Sequence, residues 1–217
     1  MQAEPVALVI NAGGASLRMG RRKALLPVPP AGTPLIVHVI RALKSLDISD
    51  VVVVANDPVI TDAVVGLEGG DVRCVADARL GLGPLGGIAA GLATCQGWAA
   101  VIGCDMPLVN AAVIERLMQM AQETDAVGVR RWDAIVPLIR KRTQTMHALY
   151  HRDTLPVIEE MISSGELSVR TLLAQVRVRY MTEAEIAGID PAMRSFINVN
   201  TPEEWAAVQP LLHCTRR

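Results

Sequence analysis

The sequence predicts an α/β fold in which a mostly parallel sheet lies between two layers of helices, with a small β insertion. Short apolar runs at 6–10, 51–54 and 98–103 have the length and composition of strands that are buried on both faces. Stretches with apolar residues at helical spacing separate these runs. Strands that alternate with helices through short connections are typical of parallel α/β sheets.

Each element of this fold can be assigned in order. In the first half we predict strands at 6–10, 51–54, 72–76 and 98–103, and helices from Thr33-Pro34 to 47–50 and from 81–87 to about Cys95. In the second half we predict a helix capped by Asn110 and a strand at 125–129. Two short strands around a basic turn between 130 and 150 suggest an inserted hairpin or a change in strand direction. Helices at 154–163 and after Ser168 and a strand at 176–181 follow. Two capping boxes follow, Thr182 with Glu185 and Thr201 with Glu204. With no repeat or linker, we expect a single domain over 1–217.

Composition excludes several classes of protein. Half of the 217 residues are apolar but only 3% are aromatic, so the core must consist mainly of Val, Leu, Ile, Ala and Met. The formal net charge of −1 gives no electrostatic argument for a nucleic-acid or membrane partner. Any binding of anions must therefore come from local clusters of cations.

Cysteine usage and the amino terminus indicate the compartment. The four cysteines are dispersed and form no C-x-x-C pair, which argues against a structural zinc site or a disulfide framework. The first residues, M-Q-A-E-P, lack a positive n-region, and no apolar run approaches the roughly 20 residues that span a bilayer. We expect a soluble cytoplasmic protein with reduced thiols.

The first candidate for chemistry is the segment 11–23, N-A-G-G-A-S-L-R-M-G-R-R-K, which follows the first strand. Paired glycines let a backbone approach an anion closely, and the cations Arg18 and Lys23 would neutralise it. The order of residues is not that of a Walker A motif. A tight connection from strand to helix with solvated cations remains an alternative.

A second glycine-rich stretch, G-L-G-P-L-G at 81–86, formally matches G-x-G-x-x-G. Asp105 lies about 20 residues beyond it, as in dinucleotide-binding folds, so an oxidoreductase that binds NAD or FAD is an alternative function. Residues 77–80 separate the glycines from the preceding strand, and Pro84 stiffens the turn. Both features weaken this alternative, and it leaves the basic segment 18–23 unexplained.

Charged residues near strand ends complete the candidate site. Asp105 directly follows the strand 98–103 and Asp77 ends another strand, so both are expected at the carboxyl edge of the sheet, where open α/β folds bind ligands. A carboxylate that faces a triphosphate there would suit Mg²⁺, although capping of the next turn is an equal alternative. Arg130, Arg131 and 140–142 are either a solvated face or a site for a second anionic substrate.

Taken together, the motifs resemble one family. The segment 11–26, G-P-L-G-G-I-A-A-G-L, I-G-C-D-M-P, T-M-H-A-L-Y with G-E-L-S-V-R-T-L-L, and F-I-N-V-N-T-P-E-E occur in the order found in MobA-type nucleotidyltransferases. The resemblance spans about residues 6–208, and it implies a fold of the Rossmann-like nucleotide-diphospho-sugar transferase type. It also implies molybdenum cofactor guanylyltransferase activity, in which GTP and molybdopterin give the guanine dinucleotide cofactor and pyrophosphate with Mg²⁺.

The resemblance also implies roles for individual residues. Arg18, Lys23 and Asp105 would be catalytic, with Asp105 as the ligand of Mg²⁺. The nucleotide would be bound by Ala12, Gly13, Gly14, Lys23, Asp77, Gly83, Pro84, Leu85, Gly86, Gly87 and Asp105. Asn198 and Asn200 would face the same site, and Arg130 and Arg131 are our candidates for the second substrate. Transient contacts with other proteins of molybdenum-cofactor synthesis are also expected.

Three residues depart from the family's pattern. Asn11 replaces an apolar residue before Ala-Gly-Gly, Arg22 stands where Asp is common, and Val54 stands where some members have an Asn near the base. A cytidylyltransferase or a sugar-phosphate nucleotidyltransferase therefore remains an alternative, as does a nucleotide-binding protein without catalytic activity.

Overall fold

A computed structural model describes residues 4–13, 22–77 and 81–212. The strands in this part of the chain are β1 (Val6–Asn11), β2 (Pro27–Val28), β3 (Thr33–Pro34), β4 (Asp50–Val54), β5 (Arg73–Val75), β6 (Trp98–Gly103), β7 (Ala134–Ile139), β8 (Arg142–Thr143), β9 (His147–His151) and β10 (Val178–Met181). The helices are α1 (Leu35–Ala42), α2 (Pro58–Glu68), α3 (Gly83–Leu92), α4 (Ala111–Ala121), α5 (Leu155–Ser163), α6 (Val169–Gln175), α7 (Glu183–Ala187) and α8 (Pro202–Leu212). None of these helices is long and apolar enough to cross a membrane.

The main sheet has the strand order β10-β7-β9-β6-β1-β4-β5, with β8 paired to β7. β1 pairs in parallel with both β4 and β6, and β4 pairs in parallel with β5. β9 is the exception, because it runs antiparallel to β6 and to β7. The predicted mostly parallel sheet is therefore confirmed. The two short strands predicted around the basic turn correspond to β7 and β9, which pair antiparallel. The turn after β7 contains Arg140 and Lys141 at positive φ and leads into β8.

The two faces of the sheet carry separate apolar layers. Leu8 and Ile10 of β1 point to a cluster that includes residues of α1, α4 and α8, whereas Ala7 and Val9 point to a cluster with residues of α3, α5 and α6. This alternation is what a parallel strand covered on both faces requires. The helices therefore form a layer on each side of the sheet, as the sequence predicts.

Glycines allow α3 to approach β1 closely. A Cβ atom built on Gly91 would lie 2.5 Å from Val9 Cγ1, and one built on Gly87 would lie 2.1 Å from Asn11 Nδ2. Two residues along a strand and four along a helix both advance by about 6 Å, so the two contacts are in register. As a result, the amino terminus of α3 lies at the carboxyl edge of β1.

Most of the predicted boundaries agree with the structure, and the exceptions are local. The strand at 98–103 matches β6, and Asn110 caps α4 by accepting a hydrogen bond from the backbone N–H of Ala112 at 2.9 Å. Both predicted capping boxes are present. α1 ends at Ala42, earlier than predicted, and α2 was missed although Asp57 before Pro58 is a recognisable start signal.

The strand predicted at 125–129 is wrong. The Asp125 carboxylate accepts hydrogen bonds from the backbone N–H groups of Val127 and Val129, which closes this segment into a turn. Val127 and Val129 are exposed, so the valines that suggested a strand pack against no sheet. Local bonding by an Asp side chain therefore outweighed β propensity here.

An ion pair beside this turn leads to a prediction about acid stability. Asp133 accepts hydrogen bonds from Arg177 Nε at 2.9 Å and Nη2 at 2.7 Å, and the Arg177 guanidinium is the main cause that lowers the pKa of Asp133 to about 2. A carboxyl with a lowered pKa stabilises the fold above its unfolded pKa of about 4, and this stabilisation disappears as the pH falls towards 2. We expect Asp133→Asn to lower the free energy of unfolding by at most about 2 kcal/mol at pH 7 and by about half as much at pH 3.

This prediction can be checked by urea denaturation at both pH values. Asp62→Asn, at an exposed position on α2, is the matched control and should change stability little at either pH. An equal loss at pH 7 and pH 3 for Asp133→Asn would show that the charge of Asp133 is not what stabilises the fold.

Candidate active site

A cleft of about 200 Å³ opens at the carboxyl edge of the sheet, between the ends of β1 and β6. The segments that follow these two strands line it together with the amino terminus of α3. Its described lining residues are Asn11, Ala12, Gly13, Lys23, Ala24, Ile60, Gly83, Pro84, Gly103, Cys104, Asp105 and Met146. Loops at this edge are where an open α/β sheet binds ligands.

Lys23 connects the polar groups of this cleft. Its Nζ donates hydrogen bonds to Asp105 Oδ2 at 3.2 Å and to Asn200 Oδ1 at 2.9 Å. The side chains of Lys23 and Asp105 are only 16% and 21% exposed, so this ion pair is weakly screened by solvent. Residues that are 82 and 177 positions apart in the sequence are therefore brought together at one point.

Backbone contacts hold this cluster in place. The N–H of Val199 donates to the carbonyl of Asp105 at 2.9 Å, and Val199 is fully buried. The N–H of Cys104 donates to the carbonyl of Asn11 at 3.1 Å. The segment of Asn200 and the end of β1 are thus fixed to the loop of Asp105, whereas Asn198 is exposed beside them.

The Asp105 carboxylate folds back over the end of its own strand. A Cβ atom on Gly103 would lie 2.6 Å from Asp105 Oδ1. This separation is shorter than a real Cβ contact, so the carboxylate can occupy this position only because residue 103 is a glycine.

Cys104 lines the same cleft, but its thiol is unreactive. Burial, aided by the neighbouring Asp105 charge, raises the pKa of the Cys104 thiol to about 12. The thiol therefore stays protonated at neutral pH, and a protonated thiol is neither a good nucleophile nor a good metal ligand.

The loop after β1 begins with a side-chain hydrogen bond. Asn11 Oδ1 accepts from the backbone N–H of Gly13 at 3.0 Å, and the N–H of Ala12 donates to the Val54 carbonyl at 2.9 Å. Ala12 and Gly13, which we predict to bind the nucleotide, line the cleft, while Gly14 and Arg18 lie outside the described residues. An apolar residue in place of Asn11 could not make this bond to Gly13.

The predicted glycine-rich block forms the start of α3. Gly83 and Pro84 line the cleft, and Leu85, Gly86 and Gly87 are buried in the first turn. A Cβ on Gly86 would lie 2.6 Å from Asp77 Oδ2, so the Asp77 carboxylate rests on this turn. The amino terminus of a helix and its free N–H groups favour an anion at this place.

Arg22 is paired away from Lys23. Its guanidinium forms an ion pair with Asp57, the carboxylate that caps α2 by accepting from the N–H of Val59 at 3.0 Å. The Arg22 hydrogen bond is the main cause that lowers the pKa of Asp57. The positive charge that departs from the family's pattern is therefore matched by a carboxylate on another element.

Arg130 and Arg131 lie at the opposite edge of the sheet. Arg130 donates to Asp153 at 2.7 Å and lies 3.0 Å from His151, a residue that pairs with Trp98 at the start of β6. β6 is about 20 Å long, so Arg130 is far from Asp105. The guanidinium of Arg131 lies over the Trp132 ring at 5.3 Å. The structure does not bring these two arginines to the cleft, because the segment before β7 turns back at the amino edge.

A second, larger cleft of about 690 Å³ adjoins the first through Pro84. It lies between the β7–β8 hairpin and α6, and three cations line it: Lys141, Arg142 and Arg170. The sequence indicated the basic turn at 140–142 but missed Arg170. The signal was present in G-E-L-S-V-R, where Ser168 caps α6 and Arg170 is its second residue.

The polar groups of the first cleft fit a metal ion that is held mainly by its substrate. Within 4–13, 22–77 and 81–212, no group of three or more His, Cys, Asp or Glu side chains is arranged to hold a metal by itself. The Asp105 carboxylate and the side-chain oxygen of Asn200, which both accept hydrogen bonds from Lys23 Nζ, offer hard oxygen donors. Mg²⁺ is commonly bound in this way, by one or two carboxylates and the phosphates of a nucleotide.

Comparison with known proteins identifies the family. The MobA-like NTP transferase domain matches residues 8–180. The chain belongs to this family. A molybdenum cofactor guanylyltransferase of Pseudomonas putida is 31% identical over 92% of this chain and 95% of its own length. A probable molybdenum cofactor guanylyltransferase of Bacillus licheniformis is 30% identical over 93% of this chain and 95% of its own length.

A solved structure supports the fold of this MobA-like chain independently. Molybdopterin-guanine dinucleotide biosynthesis protein A from Archaeoglobus fulgidus superimposes with a TM-score of 0.78 at 23% identity, covering 96% of this chain and all of the other. The family resemblance and the nucleotidyltransferase fold that the sequence predicts are thus confirmed. The protein belongs to a family of transferases that act on nucleotides.

Proposed function

We propose that this protein transfers the guanylyl group of GTP to molybdopterin, forming the guanine dinucleotide cofactor and pyrophosphate with the help of Mg²⁺. The relatives named above, which match nearly the whole chain, support this substrate pair. The observation that carries the proposal is Lys23, whose Nζ lies between Asp105 and Asn200 in a cleft bounded by the loop after β1 and the amino terminus of α3.

The reaction needs positioning and charge neutralisation rather than a protein nucleophile. A terminal phosphate oxygen of molybdopterin attacks the α-phosphorus of GTP, the bond from this phosphorus to the β-phosphate oxygen breaks, and pyrophosphate leaves. Two anions must be brought in line, which is the main task in phosphoryl transfer. The protonated Cys104 thiol agrees with this direct attack.

Each polar group of the cleft has a part in this scheme. Lys23 neutralises charge on the triphosphate, and the amino terminus of α3 at Gly83 favours the same anion. Asp105 would hold Mg²⁺ with Asn200 beside it. When bound, Mg²⁺ withdraws charge from the phosphates and so makes the α-phosphorus more open to attack.

The second cleft is suited to the acceptor. Lys141, Arg142 and Arg170 offer three cations to an anionic molecule, and Val169, Leu173 and Tyr180 offer apolar surface to its ring system. Because both clefts include Pro84, an acceptor here would have its phosphate near the nucleotide. These residues replace Arg130 and Arg131 as our candidates for the second substrate.

The proposed reaction also indicates the partners and the compartment that we expect for this protein. We expect the small-molecule substrates to be the main partners, without a nucleic acid or a membrane, and contacts with other proteins of molybdenum-cofactor synthesis to be transient. Cys74, Cys95 and Cys104 are free thiols. Reduced thiols suit the cytoplasm, which is where we expect the reaction to take place.

One assay tests the proposed function. Pyrophosphate release is measured with each of the four NTPs, with and without molybdopterin and Mg²⁺, and we expect rapid release only with GTP and both additions. Preferential turnover of CTP would instead indicate the cytidylyl alternative. Tight GTP binding without pyrophosphate release would indicate a non-catalytic protein, and saturable NAD or FAD binding that survives Lys23→Ala would indicate the oxidoreductase.

Arg170 provides a test of the acceptor cleft. We expect Arg170→Ala to raise the KM for molybdopterin by about 10-fold, because a charge-assisted contact to an anion is lost, and to leave the KM for GTP unchanged. Steady-state kinetics with each substrate varied in turn measures both values. Arg131→Ala is the matched control, and an equal effect of both variants on molybdopterin would contradict the assignment of the second cleft.

A further inference from the structure

We propose that Asn11 determines the specificity for guanine, by donating a hydrogen bond from its side-chain amide to O6 of the base beside Asp77. This inference rests on the proposed function, since it assumes that a nucleotide binds in the cleft at the carboxyl edge. It assigns the role to a residue that departs from the family's pattern.

The side chains of Asn11 and Asp77 contact neighbouring positions near the start of α3. Asn11 Nδ2 lies 2.1 Å from the place of a Cβ on Gly87, and Asp77 Oδ2 lies 2.6 Å from the place of a Cβ on Gly86. Gly86 and Gly87 are consecutive, with Cα atoms about 3.8 Å apart, so an amide and a carboxylate each pack on one of two successive glycines. A side chain at either glycine would displace one of these polar groups.

The orientation of the Asn11 amide follows from its hydrogen bond. Oδ1 accepts from the N–H of Gly13 at 3.0 Å, and an acceptor is needed there, so Nδ2 is the atom that rests on Gly87. No described residue accepts a hydrogen bond from Nδ2, and Asn11 lines the cleft. The Asn11 amide N–H group can therefore donate a hydrogen bond to a ligand, near the Asp77 carboxylate.

This donor and acceptor pair is complementary to one base in particular. Guanine carries the donors N1–H and N2–H₂ beside the acceptor O6, so a carboxylate can accept from both donors while an amide N–H donates to O6. Adenine has an acceptor at N1 and an amino group at C6, which places a lone pair against Asp77 and a donor against Asn11. Cytosine offers a carboxylate only its N4 amino group.

Neighbouring residues on the next strand do not offer an alternative donor. Val54 of β4 is the register partner of Asn11, shares its face of the sheet and is buried and apolar. Asn56, two residues further on, is exposed. Neither Asn56 nor Asp77 is among the described residues that line the cleft, so the base would extend beyond the cleft along α3 to reach Asp77, which packs on Gly86. The amide at this edge therefore comes from β1.

The test uses binding, so that it does not depend on turnover. Dissociation constants are measured for GTP, for 6-thio-GTP, in which sulfur is a poor acceptor at position 6, and for ITP, which lacks the 2-amino group. Asn11→Asp keeps the acceptor for Gly13 and the size of the side chain but removes the donor. Asn11→Leu removes both, and Asn56→Leu is the matched control. Thermal unfolding of each variant verifies that it folds.

We expect Asn11→Asp and Asn11→Leu to weaken GTP binding by about 10-fold or more and to bring GTP and 6-thio-GTP to equal affinity. The affinities for GTP and ITP should fall by the same factor, because the 2-amino group donates its hydrogen bond to Asp77 and not to Asn11. Asn56→Leu should change none of these values.

Two outcomes separate this inference from the proposed function. If the Asn11 variants keep the preference for GTP over 6-thio-GTP while the wild type transfers guanylyl groups, the inference is overturned and the proposed function stands. If the wild type shows the expected binding pattern but releases no pyrophosphate with molybdopterin and Mg²⁺, the proposed function fails and the role of Asn11 stands.

Discussion

Asp105→Asn is expected to lower the rate of pyrophosphate release by about 10³-fold while the fold is retained. The amide keeps an oxygen that can accept from Lys23 Nζ, now 3.2 Å from Asp105 Oδ2, but it removes the negative charge that a metal ion requires. Because the amide retains an acceptor for the Lys23 ammonium, we expect the fold to survive the loss of the charge. Rates at saturating GTP and molybdopterin, together with the unfolding midpoint, measure both effects.

Gly103→Ala tests whether the position of this carboxylate matters as well as its charge. The new Cβ would lie 2.6 Å from Asp105 Oδ1 and should turn the carboxylate away from its present position, with a loss of turnover of about 10²-fold. Gly66→Ala, on α2 with no atom within 4 Å of the new Cβ, is the matched control and should be fully active.

Near-normal turnover of Asp105→Asn would contradict the role of Asp105 as a metal ligand.

The sequence predicts the sheet and its helices well because their patterns are local. Strands buried on both faces, such as β6, are continuous apolar runs, and caps such as Asn110 combine a polar side chain with a following apolar stripe. The antiparallel direction of β9 depends on its pairing with the neighbouring β7 and with β6, which is distant in sequence. Periodicity carries no information about the direction of a partner strand, so the sequence indicates a change in strand direction here only as an alternative to an inserted hairpin.

The candidate site could be predicted only in part. The resemblance places Lys23, Asp105 and Asn200 in one site, and the structure brings them within hydrogen-bonding distance. Their catalytic and metal-binding roles stay predictions. A basic run, in contrast, does not reveal at which edge of a sheet it lies, which is why Arg130 was assigned to a substrate although it belongs to the ion-pair network around His151 and Asp153.

Asn11 and Arg22, the two residues near the first loop that depart from the family's pattern, have a common physical explanation. Arg22 and Asn11 each satisfy a group that lies close by, the Asp57 carboxylate and the Gly13 N–H. Neither partner can be recognised from the segment 11–23 alone, because Asp57 belongs to another element and the Gly13 bond depends on the backbone conformation. The Arg22 guanidinium and the Oδ1 atom of Asn11 are therefore matched within the fold, and among the described residues of the segment 11–23, Lys23 is the cation that lines the cleft.

Lys23→Met should lower kcat/KM for GTP by about 10²- to 10³-fold, which is the second large effect that we expect. Methionine keeps the length and apolar stem of lysine but cannot neutralise the triphosphate. Because Lys23 Nζ contacts Asp105 Oδ2, we also expect half-maximal activity at a lower Mg²⁺ concentration in the variant, as the metal ion no longer competes with the ammonium for this oxygen. Steady-state kinetics with varied GTP measures kcat/KM, and titration of the residual turnover with Mg²⁺ measures the concentration for half-maximal activity.

A distant lysine shows whether the effect is specific to this position. Lys44, just after α1, pairs with the buried Glu68 carboxylate at the end of α2, so Lys44→Met should reduce stability and leave kcat/KM unchanged. A normal kcat/KM for Lys23→Met would contradict the role of Lys23 in neutralising the triphosphate. An unchanged Mg²⁺ requirement with the expected loss of turnover would show that Lys23 acts on the nucleotide alone, and that its contact with Asp105 is broken before the metal ion binds.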